Sequence, residues 1–329
     1  MTQAYYTYCI RVANRDRVEV EKLDAQHKSL GRRSGSFRCL DEFPEEVKEW
    51  LKAAQNNNLN SREVRKLGEA LFDILFDNVL RQDFVNFYER VVHQDKQLLR
   101  VELDIDAQSL PAIAALPWEF MCLPQRENSG IIWLGTAPKV VFYRRSFQKQ
   151  PVQPIQLEEN EKLRIALVIS KPQYLSPVVY EKVQFALEEL AQKQVNKIEL
   201  LPTVNPANPK EIDTLLSKKP HIFHFIGHGR FQDEESRDVG QLALVDDLDN
   251  PMWVDADRFC ELFNQHRPRI VLLQACEGGM LSDSKAFVGL ASTLVQQNIP
   301  MVIAMQYEVC NRTASLFARE FYQQLAQDN

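Results

Sequence analysis

HIFHFIGHG, residues 221–229, is a mostly apolar run that ends at a histidine set between two glycines. With no polar alternation along it, it reads as a strand buried on both faces, the kind found inside a parallel sheet. The same reading recurs on either side. LRIALVIS (163–170) and IELLP (198–202) precede it, and LALVD (242–246), RIVLLQA (269–275) and MVIAMQ (301–306) follow. Helical spacing separates these runs. Val179, Val183, Ala186, Leu187 and Leu190 share one side of a helix, and further helices are expected over about 209–218, 255–266, 286–297 and 312–325. Strands alternating with helices make an α/β fold, here a mostly parallel sheet flanked by helices. Ligands in such sheets sit beyond the carboxyl ends of the strands.

The residues before this region have another character, and a smaller α+β domain is expected over 1–146. Tyr6, Tyr8, Ile10 and Val12 alternate with Tyr5, Thr7, Cys9 and Arg11, which predicts a strand. A long helical region is expected next, carrying Val47, Trp50, Leu51 and Ala54. A second helix is expected over 61–80 with Ser61 as its N-cap. LLRVELDI (98–105) and VVFYR (140–144) read as strands, and the prolines around LPWEF (116–120) preclude a helix interior between them. Residues 147–162, rich in Gln and Pro with little to bury, read as a connector. The parallel-sheet core is then 163–329, with the first domain packing upon it.

Composition narrows the class. The chain has 329 residues and a formal net charge of −6, against the basic stripe of a nucleic-acid binder. No apolar run is long enough to span a membrane, and the start, MTQAYYTYCIRVANRDR, lacks the basic-then-apolar order of a signal peptide. Six cysteines with no recurring spacing do not form a disulfide framework. A cytoplasmic globular protein with reduced thiols is expected, touching neither nucleic acid nor membrane.

Two strand ends carry chemistry. HFIGHG (224–229) puts His228 in a tight turn between Gly227 and Gly229, and LLQACEGG (272–279) puts Cys276 ahead of a glycine pair. The chain between His228 and Cys276 has room for one intervening strand and helix, so the two strands can be near neighbours. A cysteine thiol needs a base to become a nucleophile at neutral pH, and an imidazole supplies one and can then protonate a leaving amine. The backbone amides of Gly229 and Cys276 are candidates for an oxyanion hole. Asp246 and Asp247, at a strand end on the same side, are candidate substrate-binding residues or an acidic surface turn. Gln274 and Glu308 are further candidates. A metal cluster of His221, His224 and His228 is disfavoured, because residues 221 and 224 point to opposite faces of a strand. His224 is better read as a core residue near the site. No Gly-Lys-Ser/Thr follows Gly279, so a phosphate loop has no support. No metal and no cofactor are expected; 246–249 is the single place to look for calcium.

Q-A-C-x-G with a histidine upstream is a caspase pattern, from which Glu277 departs where that pattern has Arg, Gln or Gly. The longer series HFIGHG, LALVDD, LLQACEGG, VIAMQYEV and FYQQL, preceded by LPWEFMCLP and WLGTAPKVVFYRR, resembles the CHAT domain family of caspase-like cysteine peptidases, over roughly 98–329. The resemblance implies His228 as general base, Cys276 as nucleophile and the Gly229 amide as an oxyanion donor. It also implies a bacterial peptide-bond hydrolase acting on a protein substrate, gated by a regulatory protein or fused sensor module, often in defence or cell-death circuits. CHAT domains usually continue beyond the FYQQL helix. The polar segment 225–240 is expected to rearrange on activation. The competing readings are a silent caspase-like interaction module that relays a signal, and a different thiol acyl transfer such as ligation or deamidation.

Overall fold

The computed structural model describes residues 5–12, 14, 16–38, 44–55, 58–106, 109–124, 130–145, 155–234, 237–275, 282–305 and 311–327. The chain divides into two compact units, Met1–Lys149 and Gln150–Asn329.

The first unit opens with β1 (Tyr5–Val12), β2 (Arg17–Leu23) and β3 (Ser29–Ser36), an antiparallel meander. Two strands therefore stand where a helical region was expected to begin. Helices α1 (Glu45–Gln55), α2 (Ser61–Leu75) and α3 (Asn78–Tyr88) follow, then a π-helical turn at Glu89–Gln94 and β4 (Leu98–Ile105). Next come α4 (Pro111–Ala114), a 3-10 turn at Trp118–Phe120, the short pair β5 (Cys122–Leu123) and β6 (Ile132–Trp133), and β7 (Val140–Arg145). The main sheet has the order β3-β2-β1-β4-β7, with β1, β4 and β7 parallel. Alternation along β1 turns Tyr8, Ile10 and Val12 inward. Phe72, Phe76 and Phe84 of the α2–α3 region join Tyr8 there: the Tyr8 ring meets Phe84 edge-on at 5.0 Å, and Phe72 stacks on Phe76 at 4.2 Å.

The single helix expected over 61–80 is two helices. Asn60, not Ser61, caps α2: its side chain accepts from the Arg62 and Glu63 amides while Glu63 accepts from the Asn60 amide. Phe76 ends α2, and Asp77 starts α3 by accepting from the Val79 and Leu80 amides.

The second unit runs β8 (Leu163–Ile169), α5 (Glu181–Lys193), β9 (Ile198–Leu200), α6 (Pro209–Leu216), β10 (Ile222–Gly227), β11 (Gly229–Glu234), β12 (Arg237–Val245), β13 (Pro251–Asp255), α7 (Ala256–Glu261), β14 (Ile270–Ala275), α8 (Ser282–Gln296), β15 (Met301–Ala304) and α9 (Asn311–Gln327). Five strands form a parallel sheet in the order β15-β14-β10-β8-β9. Its two faces are separate cores. Phe223 and Phe225 point to Ile212, Phe259 and Leu290 of α6, α7 and α8, and Ile222 and Ile226 to Val183, Leu187, Ala318 and Tyr322 of α5 and α9. LALVD, expected among the parallel strands, lies in β12, which pairs antiparallel with β11 and β13 in a separate three-stranded sheet. Much of the polar 225–240 segment is thus the β11–β12 hairpin. Its core-facing Leu242 and Leu244 explain the apolar run.

Candidate active site

The strands that end at the two motifs are direct neighbours. β10 and β14 pair in parallel from Ile222↔Ile270 to Gly227↔Ala275, so both strands end at one level on one edge of the sheet. His228 follows Gly227 immediately. Cys276 follows Ala275 in the chain and lies outside the described residues, as does Glu308.

The local packing explains why a glycine precedes His228. A Cβ built on Gly227 would lie 2.8 Å from the Phe225 ring and 2.9 Å from the Ser170 Cβ, so no side chain fits there. The His228 carbonyl accepts from the Ala243 amide at 3.0 Å, which locks the turn to β12. A trans peptide holds C=O and N–H opposed, so the Gly229 N–H points away from β12, out of the ladder. Ser170 braces the same point by donating its hydroxyl to the Ala243 carbonyl at 2.5 Å.

His228 is 3% exposed. Its Nε2 lies 2.9 Å from the Ser176 carbonyl oxygen. A carbonyl only accepts, so Nε2 carries a proton and donates it to Ser176. Ser176 belongs to the segment between β8 and α5, tied down where the Gln173 amide donates to the Asp249 carbonyl at 2.8 Å. This orienting carbonyl has no signature in the sequence, because any residue can supply it.

His224 is a core residue. Fully buried, it donates through Nε2 to Gln274 Oε1 at 3.2 Å and accepts at Nδ1 from the Tyr322 hydroxyl at 3.1 Å. Burial pushes its pKa down to about 4, so the ring stays neutral. Gln274, expected to face a substrate, is 1% exposed and spends its carbonyl on this buried chain. A polar side chain in an inner strand covered on both faces must find its partner inside. His221 points elsewhere, accepting from the Arg164 amide at Nδ1 and lying 3.4 Å from Glu161 at Nε2.

The acidic turn has a structural use. Asp246 accepts from the Leu248 and Asn250 amides and from the Asn250 side chain, and these bonds hold its carboxyl below the usual range. Asp247 is exposed, accepting from Asn208 at 3.2 Å with Lys210 at 3.8 Å. The turn is linked to the His228 environment through the Asp249 backbone rather than through its charges. Among the described residues, no group of three or more His, Cys, Asp and Glu side chains could hold a metal ion, and no helix is long and apolar enough to cross a membrane.

A parallel sheet covered by helices on both faces, with motif-bearing strands ending side by side, is a caspase-like arrangement. Residues 65–329 match the family model described as the CHAT domain, and the chain belongs to that family, a caspase-like, protease-associated one. The match begins earlier than the motifs alone suggest, taking in α2 and α3. No curated protein matches the chain. Among solved structures, one described as a reductive activator for a corrinoid, iron–sulfur protein is similar at 14% identity and a TM-score of 0.25, over 44% of this chain and 23% of that one. The shared part is thus a minor fraction of that structure, and nothing about this chain follows from it.

Proposed function

We propose that the chain is a cysteine endopeptidase with His228 as general base and Cys276 as nucleophile. The observation that carries this reading is the β10–β14 register, Gly227↔Ala275, which brings the residues before His228 and Cys276 side by side. The Nε2 bond to Ser176 supports it, since with Nε2 acting as donor the thiol proton has to go to Nδ1.

In this mechanism His228 Nδ1 takes the Cys276 proton, and the thiolate sulfur bonds to the scissile carbonyl carbon. The Gly229 and Cys276 amides stabilise the oxyanion. Collapse of the tetrahedral intermediate breaks the C–N bond as the imidazolium protonates the leaving amine. Water, deprotonated by His228, then hydrolyses the thioester and restores the thiol. The Ser176 carbonyl keeps the proton on Nε2 throughout. A histidine residue only 3% exposed supports gating by a regulatory protein or fused sensor module, which would open a path for the peptide. A protein substrate and a place in bacterial defence or cell death rest on the family alone.

A thiol-directed covalent peptide probe tests the dyad. Labelling located by mass spectrometry at Cys276 is expected, abolished in Cys276→Ala and slowed at least about 100-fold in His228→Ala. Labelling of Cys276 that is unchanged in His228→Ala would contradict the mechanism.

A further inference from the structure

The three-stranded sheet that follows the His228 turn has one face in the core and the other on the side of His228. Leu242 and Leu244 of β12 and Val254 of β13 lie on the core face. The residues that alternate with them share the opposite face. His228 extends the β11–β12 ladder by one pair, its carbonyl accepting from the Ala243 amide, so its side chain lies on the Ala243 side. Arg230 comes two residues later, across from Gln241, and Trp253 is across from Ala243. Arg230 Nε donates to Gln241 Oε1 at 2.9 Å, and its guanidinium carbon lies 4.1 Å from the centre of the Trp253 ring. Both contacts put Arg230 on the face of His228, about 7 Å further along the strand.

The guanidinium is therefore held in place. Stacking on an indole and a bond at Nε fix the plane of the fork, so little rotamer freedom remains to be lost when a ligand binds. Gln241 is 8% exposed, while Arg230 and Trp253 are half-buried. Asp255, across from Gln241, turns its carboxyl to the Arg258 amide at 2.8 Å as the cap of α7. An oriented, half-buried guanidinium beside a catalytic histidine fits a carboxylate. The mechanism identifies which part of a substrate meets it. His228 hands its proton to the leaving amine, so the residue that carries this nitrogen is held against His228. About two residues of extended chain then span the separation from His228 to Arg230.

We propose that Arg230, oriented by Trp253 and Gln241, selects peptides with an acidic side chain at one of the first two positions after the cut. The proposal rests on the peptidase reading and adds its substrate class.

A peptide library varied on both sides of the cut, digested by wild type and Cys276→Ala and mapped by mass spectrometry, tests it. Cys276-dependent cuts enriched in Asp and Glu at the first two positions after the cut are expected. For matched peptides with Asp or Asn there, kcat/KM is expected to favour Asp at least about 10-fold in wild type. Arg230→Gln loses this ratio, and Arg230→Glu turns the preference to Lys. A ratio taken within one variant does not depend on how much of that variant is active, and circular dichroism checks that each is folded. Cys276-dependent cuts without the enrichment, or with it only before the cut, overturn this proposal and leave the peptidase reading standing. An enrichment that persists in Arg230→Gln does the same. Absence of Cys276-dependent cuts counts against the peptidase reading, and the Arg230 subsite is then read by calorimetry on Cys276→Ala. There the Asp peptides are expected to bind at least about 10-fold tighter than the Asn peptides, and equal affinities overturn the subsite.

Discussion

Gly227 is the residue at which packing and the site meet. With 2.8 Å between a notional Cβ and the Phe225 ring, Gly227→Ala must push aside either the ring or Ser170, both fixed in a close-packed layer. A loss of about 1–3 kcal/mol is expected from urea unfolding. His224 gives a pH-dependent test. An unfolded imidazole titrates near 6.5, whereas the folded one titrates at about 4, so between these values the unfolded chain binds the extra proton. The contribution is complete above the unfolded value and is lost as pH falls from there towards 4, by roughly 1.4 kcal/mol per pH unit. Unfolding free energy measured from pH 7 to 5 should fall more steeply for wild type than for His224→Asn by about that slope. Identical slopes would mean that His224 is not buried neutral. At this scale the sequence is most legible where a residue is needed for itself, as at Gly227, whose place no side chain can take. It was silent where a backbone atom acts, as at the Ser176 carbonyl. Gln274 misled because its place beside Cys276 in the chain hides its place inside a covered sheet.

Elements were legible in proportion to how much they bury. β8, β10 and β14 stand out because both of their faces are covered, and nearly every residue in them is apolar. β3, SLGRRSGS, is exposed along almost all its length and gives no period to read. β2 and β11 carry too many charges among their apolar residues to be noticed alone. LALVD reads as one more parallel strand because its core-facing leucines look the same whichever way the strand runs. Direction is set by its neighbours β11 and β13. The break within 61–80 lies at Phe76-Asp77, where the aspartate serves two elements: it caps α3 and also accepts from the Ser36 amide of β3 at 2.9 Å. Asp77→Ala is therefore expected to cost more than Asn60→Ala, about 1.5–3 against about 1 kcal/mol, in chemical unfolding. Equal costs would show that the bond to β3 contributes nothing.

At the scale of the whole molecule, the division into two units leaves the candidate site within Gln150–Asn329, while the family match reaches back to residue 65. That overlap places most of α2, α3 and the β4–β7 pairing within the family's pattern. Within the second unit every part assigned to the chemistry lies at one edge of the parallel sheet: the turn after β10, the end of β14 and the Ser176 segment after β8. Three strands thus end together, which is where a doubly covered parallel sheet admits a ligand. The central claim is that this edge cuts peptide bonds through Cys276 and His228. It is tested most directly by incubating a diverse peptide library with wild type, Cys276→Ala and His228→Ala and mapping new termini by mass spectrometry. Cuts made by wild type and lost in both variants are the expected result. A folded wild type whose cuts persist in Cys276→Ala, or which makes none even with an activator bound, would contradict it.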